Sequence, residues 1–176
     1  MLILGIGNIL QKDDGIGVYA STYLRENFEF SKPIDIVDGG VEGINLLNLF
    51  NEYKDILILD TIALNDMAGS IYKIPAFELS GHGLNSGSAH ELGVIECIDI
   101  LELQGKEIPN TTILGIVPKD ITFDINLSKE LKDKFNSYIE VALKFLQNYG
   151  ILATKKEKTI SLEDIINKAK DPSFSL

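Results

Sequence analysis

The chain has 176 residues, 45% of them hydrophobic, which suits one compact domain with a real core. It carries 16 Lys and Arg against 26 Asp and Glu, a formal net charge of −10. That balance argues against nucleic acid and anionic membrane as partners; it suits a bound cation or a basic protein, or simply keeps the chain in solution. The single cysteine excludes an internal disulfide, and the lack of a signal-type leader or of about 18 consecutive apolar residues predicts a cytoplasmic protein.

Residues 1–6 read as a buried strand. They run into Gly5-Ile6-Gly7-Asn8-Ile9-Leu10 and then Asp13-Asp14-Gly15-Ile16-Gly17. Residues 15–28 follow with helical spacing of Ile16, Tyr19, Ala20, Tyr23 and Leu24, for which Asp13 is a candidate N-cap. Residues 34–37 form a second strand, ended by Asp38-Gly39-Gly40, and residues 43–53 a second helix. The continuous apolar run Ile56-Leu57-Ile58-Leu59 reads as a strand covered on both faces and ending at Asp60. Residues 70–74 give an edge strand. A Gly/Ser-rich loop with His82 follows, and Ser88 and Glu91 form a capping box for a helix reaching Leu103. A fifth strand over 111–117 and a helix from Ser128 to Leu146, stopped by Gly150, complete the main body. Beyond it, residues 161–170 give a short amphipathic helix with Leu162, Ile165, Ile166 and Ala169 on one side. It would dock on its own domain, a second copy or a partner. The order predicts a single three-layer α/β/α domain over residues 1–150, with a twisted, mainly parallel sheet of about five strands, and an extension over 151–176.

Ligands of open α/β sheets bind beyond the carboxyl ends of the strands. Asp14 after the first strand, Asp60 after the third and His90 at the start of the next helix all belong to that edge. Two carboxylates and an imidazole suit a borderline divalent cation such as nickel or zinc, with positions left open for water or substrate. A helix N-terminus favours the neutral, ligating form of His90 while opposing a nearby cation, so a weak, transient metal site is expected.

Each residue also has a plain structural reading. Asp14 complements a helix dipole, Asp60 binds loop amides, and His90 stands in solvent at a helix start. Asp38 with Gly39 and Gly40 either shapes a turn or contacts substrate. Asn8 supports the first loop, His82 reads as solvated, and Cys97, among Ile95, Ile98 and Ile100, as an apolar filler. No Gly-x-Ser-x-Gly elbow is present.

Taken as an ordered set, the Gly5–Leu10 and Asp13–Gly17 segments, Asp38-Gly39-Gly40, Leu59-Asp60, His90-Glu91-Leu92-Gly93 and Gly115-Ile116-Val117-Pro118 resemble the nickel–iron hydrogenase maturation endopeptidases over about residues 1–150. The resemblance implies an α/β enzyme that removes a C-terminal extension from the hydrogenase large-subunit precursor once nickel is inserted. It implies Asp14, Asp60 and His90 as the metal-engaging and catalytic residues, and Asp38, Gly39 and Gly40 as substrate-positioning. The nickel would arrive with the substrate, and the enzyme would be a monomer or weak dimer. The competing readings are a dinucleotide-binding oxidoreductase module, with Asp38 as the ribose-binding acid, and a non-catalytic nickel chaperone. Against the first, Leu10 stands where the fingerprint needs its third glycine, and Asp13 and Asp14 would repel a pyrophosphate.

Overall fold

A computed structural model describes residues 1–78 and 89–171, the side chains of residues 89–92 excepted. In chain order the elements are β1 (Leu2–Ile6), α1 (Ile16–Asn27), β2 (Phe28–Phe30), β3 (Asp35–Gly40), α2 (Leu47–Glu52), β4 (Asp55–Thr61), β5 (Ile71–Pro75), α3 (Ala89–Leu103), β6 (Asn110–Ile116), α4 (Lys129–Asn148), β7 (Ala153–Lys155) and α5 (Leu162–Ala169). Short 3-10 turns precede α1 and α2 at Lys12–Gly15 and Gly43–Leu46, so the expected second helix is half 3-10 turn.

The main sheet has the order β3-β1-β4-β6-β5. Its first four strands are parallel, and β5 joins antiparallel at the edge. The fold class is therefore the α/β architecture read from the sequence. Strand residues alternate between two cores. Ile3, Leu57, Leu59, Leu114 and Ile116 face α1, α4 and α5, whereas Leu2, Leu4, Ile56, Ile58 and Ile113 face α2 and α3. A period of two with both faces apolar gives the unbroken hydrophobic runs of β1 and β4.

Three features differ from expectation. β3 continues through Asp38, Gly39 and Gly40 rather than stopping before them, and β4 runs through Asp60 to Thr61. The third difference is a separate two-stranded sheet, in which β2 pairs antiparallel with β7. It ties the end of α1 to the segment after α4. Asp13 is not the N-cap of α1. Gly15 holds that position without a side-chain cap, because the Asp13 carboxylate is turned toward the connection between β6 and α4. The His82 loop and the capping box of Ser88 and Glu91 lie outside the described residues.

Gly17 fixes the seat of α1 on the sheet. A Cβ there would stand 2.0 Å from the Leu59 carbonyl oxygen and 2.3 Å from that of Ile6. The first turn of α1 therefore lies directly over the ends of β1 and β4. That contact brings the Lys12–Gly15 turn, and with it Asp14, against the end of β4.

Candidate active site

Asp14 and Asp60 come together at the carboxyl end of the parallel strands. Both are buried, 6% and 1% exposed. Thr61 joins them: its hydroxyl donates to Asp14 Oδ1 at 3.2 Å, and its backbone N–H donates to Asp60 Oδ1 at 2.7 Å. The other Asp14 oxygen accepts from the Asn8 N–H at 2.9 Å, while the Asn8 side chain accepts from the Leu10 N–H at 3.0 Å. Asn8 thus fixes the first loop, as its position suggested. Two buried carboxylates held on one threonine form a hard, anionic donor set, and such a set suits a cation.

Asp60 is anchored from below by Tyr138 of α4. The Asp60–Gly115 register turns the Asp60 N–H toward the Leu114 carbonyl. Beside this rung the buried Tyr138 hydroxyl accepts from Asp60 N at 3.0 Å and donates to Leu114 O at 2.6 Å. Burial, and next to it the Asp60 charge, push this phenol well above its ordinary pKa. It therefore stays protonated and keeps its donor. No signal at position 138 announced this role, since it arises from a contact across 78 residues. Thr61 had a weak signal, as a hydroxyl directly after an acid at a strand end.

His90 is the second residue of α3, and its side chain lies outside the described residues. The backbone sets the helix start. A Cβ on Gly93 would fall 2.6 Å from Gly43 Cα, so the first turn of α3 packs backbone to backbone on the turn that follows β3. Since the Gly7 N–H donates to the Gly40 carbonyl at 2.9 Å, that turn adjoins the first loop. The start of α3 thus belongs to the same edge as Asp14 and Asp60. Among the described residues, no three His, Cys, Asp or Glu side chains gather into a metal-binding group.

Asp38 and Gly40 line a neighbouring cleft of about 290 Å³ together with Gly7, Asn8, Leu10 and Val41. Asp38 Oδ1 accepts from the Gly40 N–H at 2.9 Å. Partial burial raises the Asp38 pKa, opposed by this bond and by the Arg25 charge. Gly39 does not reach the cleft; it is buried against Leu4. Cys97 is fully buried, with its thiol toward the Gly43 carbonyl at 3.8 Å, and burial pushes its pKa up to about 11. It is the apolar filler that its neighbours implied, not a nucleophile.

Sequence reasoning missed the real task of Asp13. This fully buried carboxylate accepts three backbone N–H groups: Lys119 at 2.8 Å and Asp120 at 3.0 Å on one oxygen, Ser128 at 2.6 Å on the other. It clamps both ends of the connection between β6 and α4 against the first loop.

Fold and site together define an open α/β domain with paired acids at the carboxyl edge of its sheet. Comparison with known proteins gives that class its family. The hydrogenase maturation protease model matches residues 18–145. The hydrogenase 2 maturation protease of Escherichia coli is 27% identical over 158 residues, covering 89% of this chain and 96% of its own length. HupD of Rhizobium leguminosarum, a hydrogenase expression/formation protein, is 26% identical, covering 94% of this chain and 83% of its own length. Among solved structures, the E. coli hydrogenase maturating endopeptidase HybD superposes with a TM-score of 0.80 at 27% identity, covering 88% of this chain and 96% of that one. The chain belongs to the hydrogenase maturation protease family, and with it to the peptide-bond hydrolases. No helix among the described residues is long and apolar enough to cross a membrane.

Proposed function

We propose that this protease removes the C-terminal extension from the nickel-loaded large-subunit precursor of a nickel–iron hydrogenase, with Asp14, Asp60 and His90 engaging the nickel that the substrate presents. One observation carries the reading: Asp14 and Asp60, 47 and 1 residues from Thr61, converge on that residue while buried at the sheet's carboxyl edge. His90 begins the helix packed beside that edge. Open coordination positions on the substrate's metal would accept these side chains. The contact would verify metal loading and set the scissile peptide in the cleft beside Asp38 and Gly40. The nickel would then polarise the carbonyl or activate water. Alternatively it would serve as a docking point while one carboxylate acts as general base.

The test compares nickel-loaded and nickel-free precursor, with the products weighed by mass spectrometry. Cleavage of the loaded form alone, abolished by His90→Ala, is expected. Equal cleavage of both forms, or an active His90→Ala variant, would overturn the role given to nickel.

A further inference from the structure

Exposed apolar side chains scattered singly over a surface need no explanation. Here they gather. Leu10, Val41, Met67, Ile121 and Phe123 are 43%, 60%, 79%, 59% and 81% exposed, and all lie on connections leaving the carboxyl ends of β1, β3, β4 and β6. They surround the edge at which Asp14 and Asp60 meet.

The most prominent pair, Ile121 and Phe123, stands on a strap that is held firmly. Asp13 binds it at residues 119, 120 and 128. The Lys12 ammonium pairs with Asp120. At the centre of the strap, the Asp124 N–H donates to the Leu10 carbonyl at 3.0 Å, and the Asp124 carbonyl accepts from the Lys12 N–H at 2.8 Å. Lys12 adopts a left-handed backbone, φ 41°, to make this exchange. A strap so fastened gains nothing for its own core from Phe123, which points to water. Fixing an apolar prong before contact lowers the entropy lost on binding.

We infer that the 119–128 strap, with Leu10 and Val41 beside it, is a docking surface for the folded body of the protein substrate, receiving an apolar patch that borders the group presented to Asp14 and Asp60. This rests on the function proposed above and adds a second determinant to it. Two observations on the molecule favour that occupant over a second copy. The apolar side chains lie on connections at the same carboxyl edge as the acid pair, so a protein that presents a group to the acids meets them too. They also span four separate connections, a width that suits a folded surface rather than the extended segment a 290 Å³ cleft accepts.

The experiment measures kcat and KM for cleavage of the full precursor by wild type, Phe123→Ser and the Ile121→Ser/Phe123→Ser double variant. Leu103→Ser and Leu152→Ser, exposed at 86% and 61% away from this edge, serve as controls. Thermal melting checks that each variant folds. The inference expects KM to rise about tenfold or more in the double variant with kcat changed far less, as for loss of an interface anchor, and no change in the controls. An unchanged KM alongside active wild type would overturn the docking surface and leave the proposed function standing. So would a wild-type dimer, seen by sedimentation, that Phe123→Ser dissociates without altering KM. Failure of wild type to cut any precursor would remove the proposed function and this inference together.

Discussion

Asp60 shows how a single residue can be set by groups remote in sequence. Its carboxylate accepts from the next N–H, and its own N–H donates to the buried Tyr138 phenol, 78 residues away. Deleting that hydroxyl removes its buried bonds to the Asp60 N–H and the Leu114 carbonyl beside the β4–β6 ladder. A hydrogen bond of this kind contributes about 0.5–1.5 kcal/mol net. Tyr138→Phe is therefore expected to lower stability by about 1–2 kcal/mol in urea denaturation, and to reduce precursor cleavage because Asp60 loses its support from α4. An unchanged urea midpoint would mean that the β4–β6 ladder holds Asp60 without the phenol. Asp14 and Asp60 were legible as edge acids because each follows an apolar strand, and strand ends are where α/β domains bind ligands. Tyr138 was not, because nothing local distinguishes a phenol that meets a strand end 78 residues away from one that faces water, and Thr61 offered only its place directly after an acid.

At the scale of elements, the strap between β6 and α4 depends on the Asp13 clamp at its two ends and on the Lys12–Asp120 ion pair. Asp120 is held down to a pKa of about 2, mainly by its bond to Lys12 and then by the Thr122 N–H; Asp120 in turn raises Lys12. A carboxylate with a depressed folded pKa contributes stability in full above its ordinary value, 3.8, and loses it as pH falls from there toward 2. The urea midpoint of Asp120→Asn should therefore lie below that of wild type at pH 6, with the gap narrowing between pH 4 and pH 3. A gap that stays constant or widens over that range would place the stabilisation elsewhere. The sequence hid this element. Residues 118–128 lack periodicity, and the N-cap expected of Asp13 is sound local chemistry that lost to three amides reaching it from across the fold. The strands and α4 were readable for the opposite reason, since continuous apolar runs and a 3.6-residue period are local properties. The β2–β7 pair, three residues each, offers no such pattern.

At the scale of the molecule, the segment after Gly150 is built into the core. Ile165 and Ile166 are buried in the same cluster as α1 and α4, and the Asn27 side chain at the end of α1 accepts from the Ile160 N–H at 2.7 Å. The Asn27 carbonyl accepts from the Lys156 N–H at 2.8 Å, and Lys132 of α4 pairs with Glu163 of α5 at 2.8 Å. The amphipathic face of α5 was evident from the sequence, but its docking site was open, because periodicity tells which side of a helix is apolar and not what covers it. The structure answers with the chain's own α1. If α5 is a working part of that core, Ile166→Ala removes buried methyl groups from a fully enclosed site and costs about 2–5 kcal/mol. For a chain of this length that corresponds to a fall of roughly 5–15 °C in Tm. The loss should appear in one cooperative transition, since α5 and the sheet share one cluster of side chains. Were the extension an appendage on a self-sufficient domain, calorimetry would instead show a small early transition followed by melting at the wild-type temperature. Cleavage assayed well below the transition should survive in Ile166→Ala, because α5 lies against α1 on the face opposite α3 and supplies none of the residues proposed at the carboxyl edge.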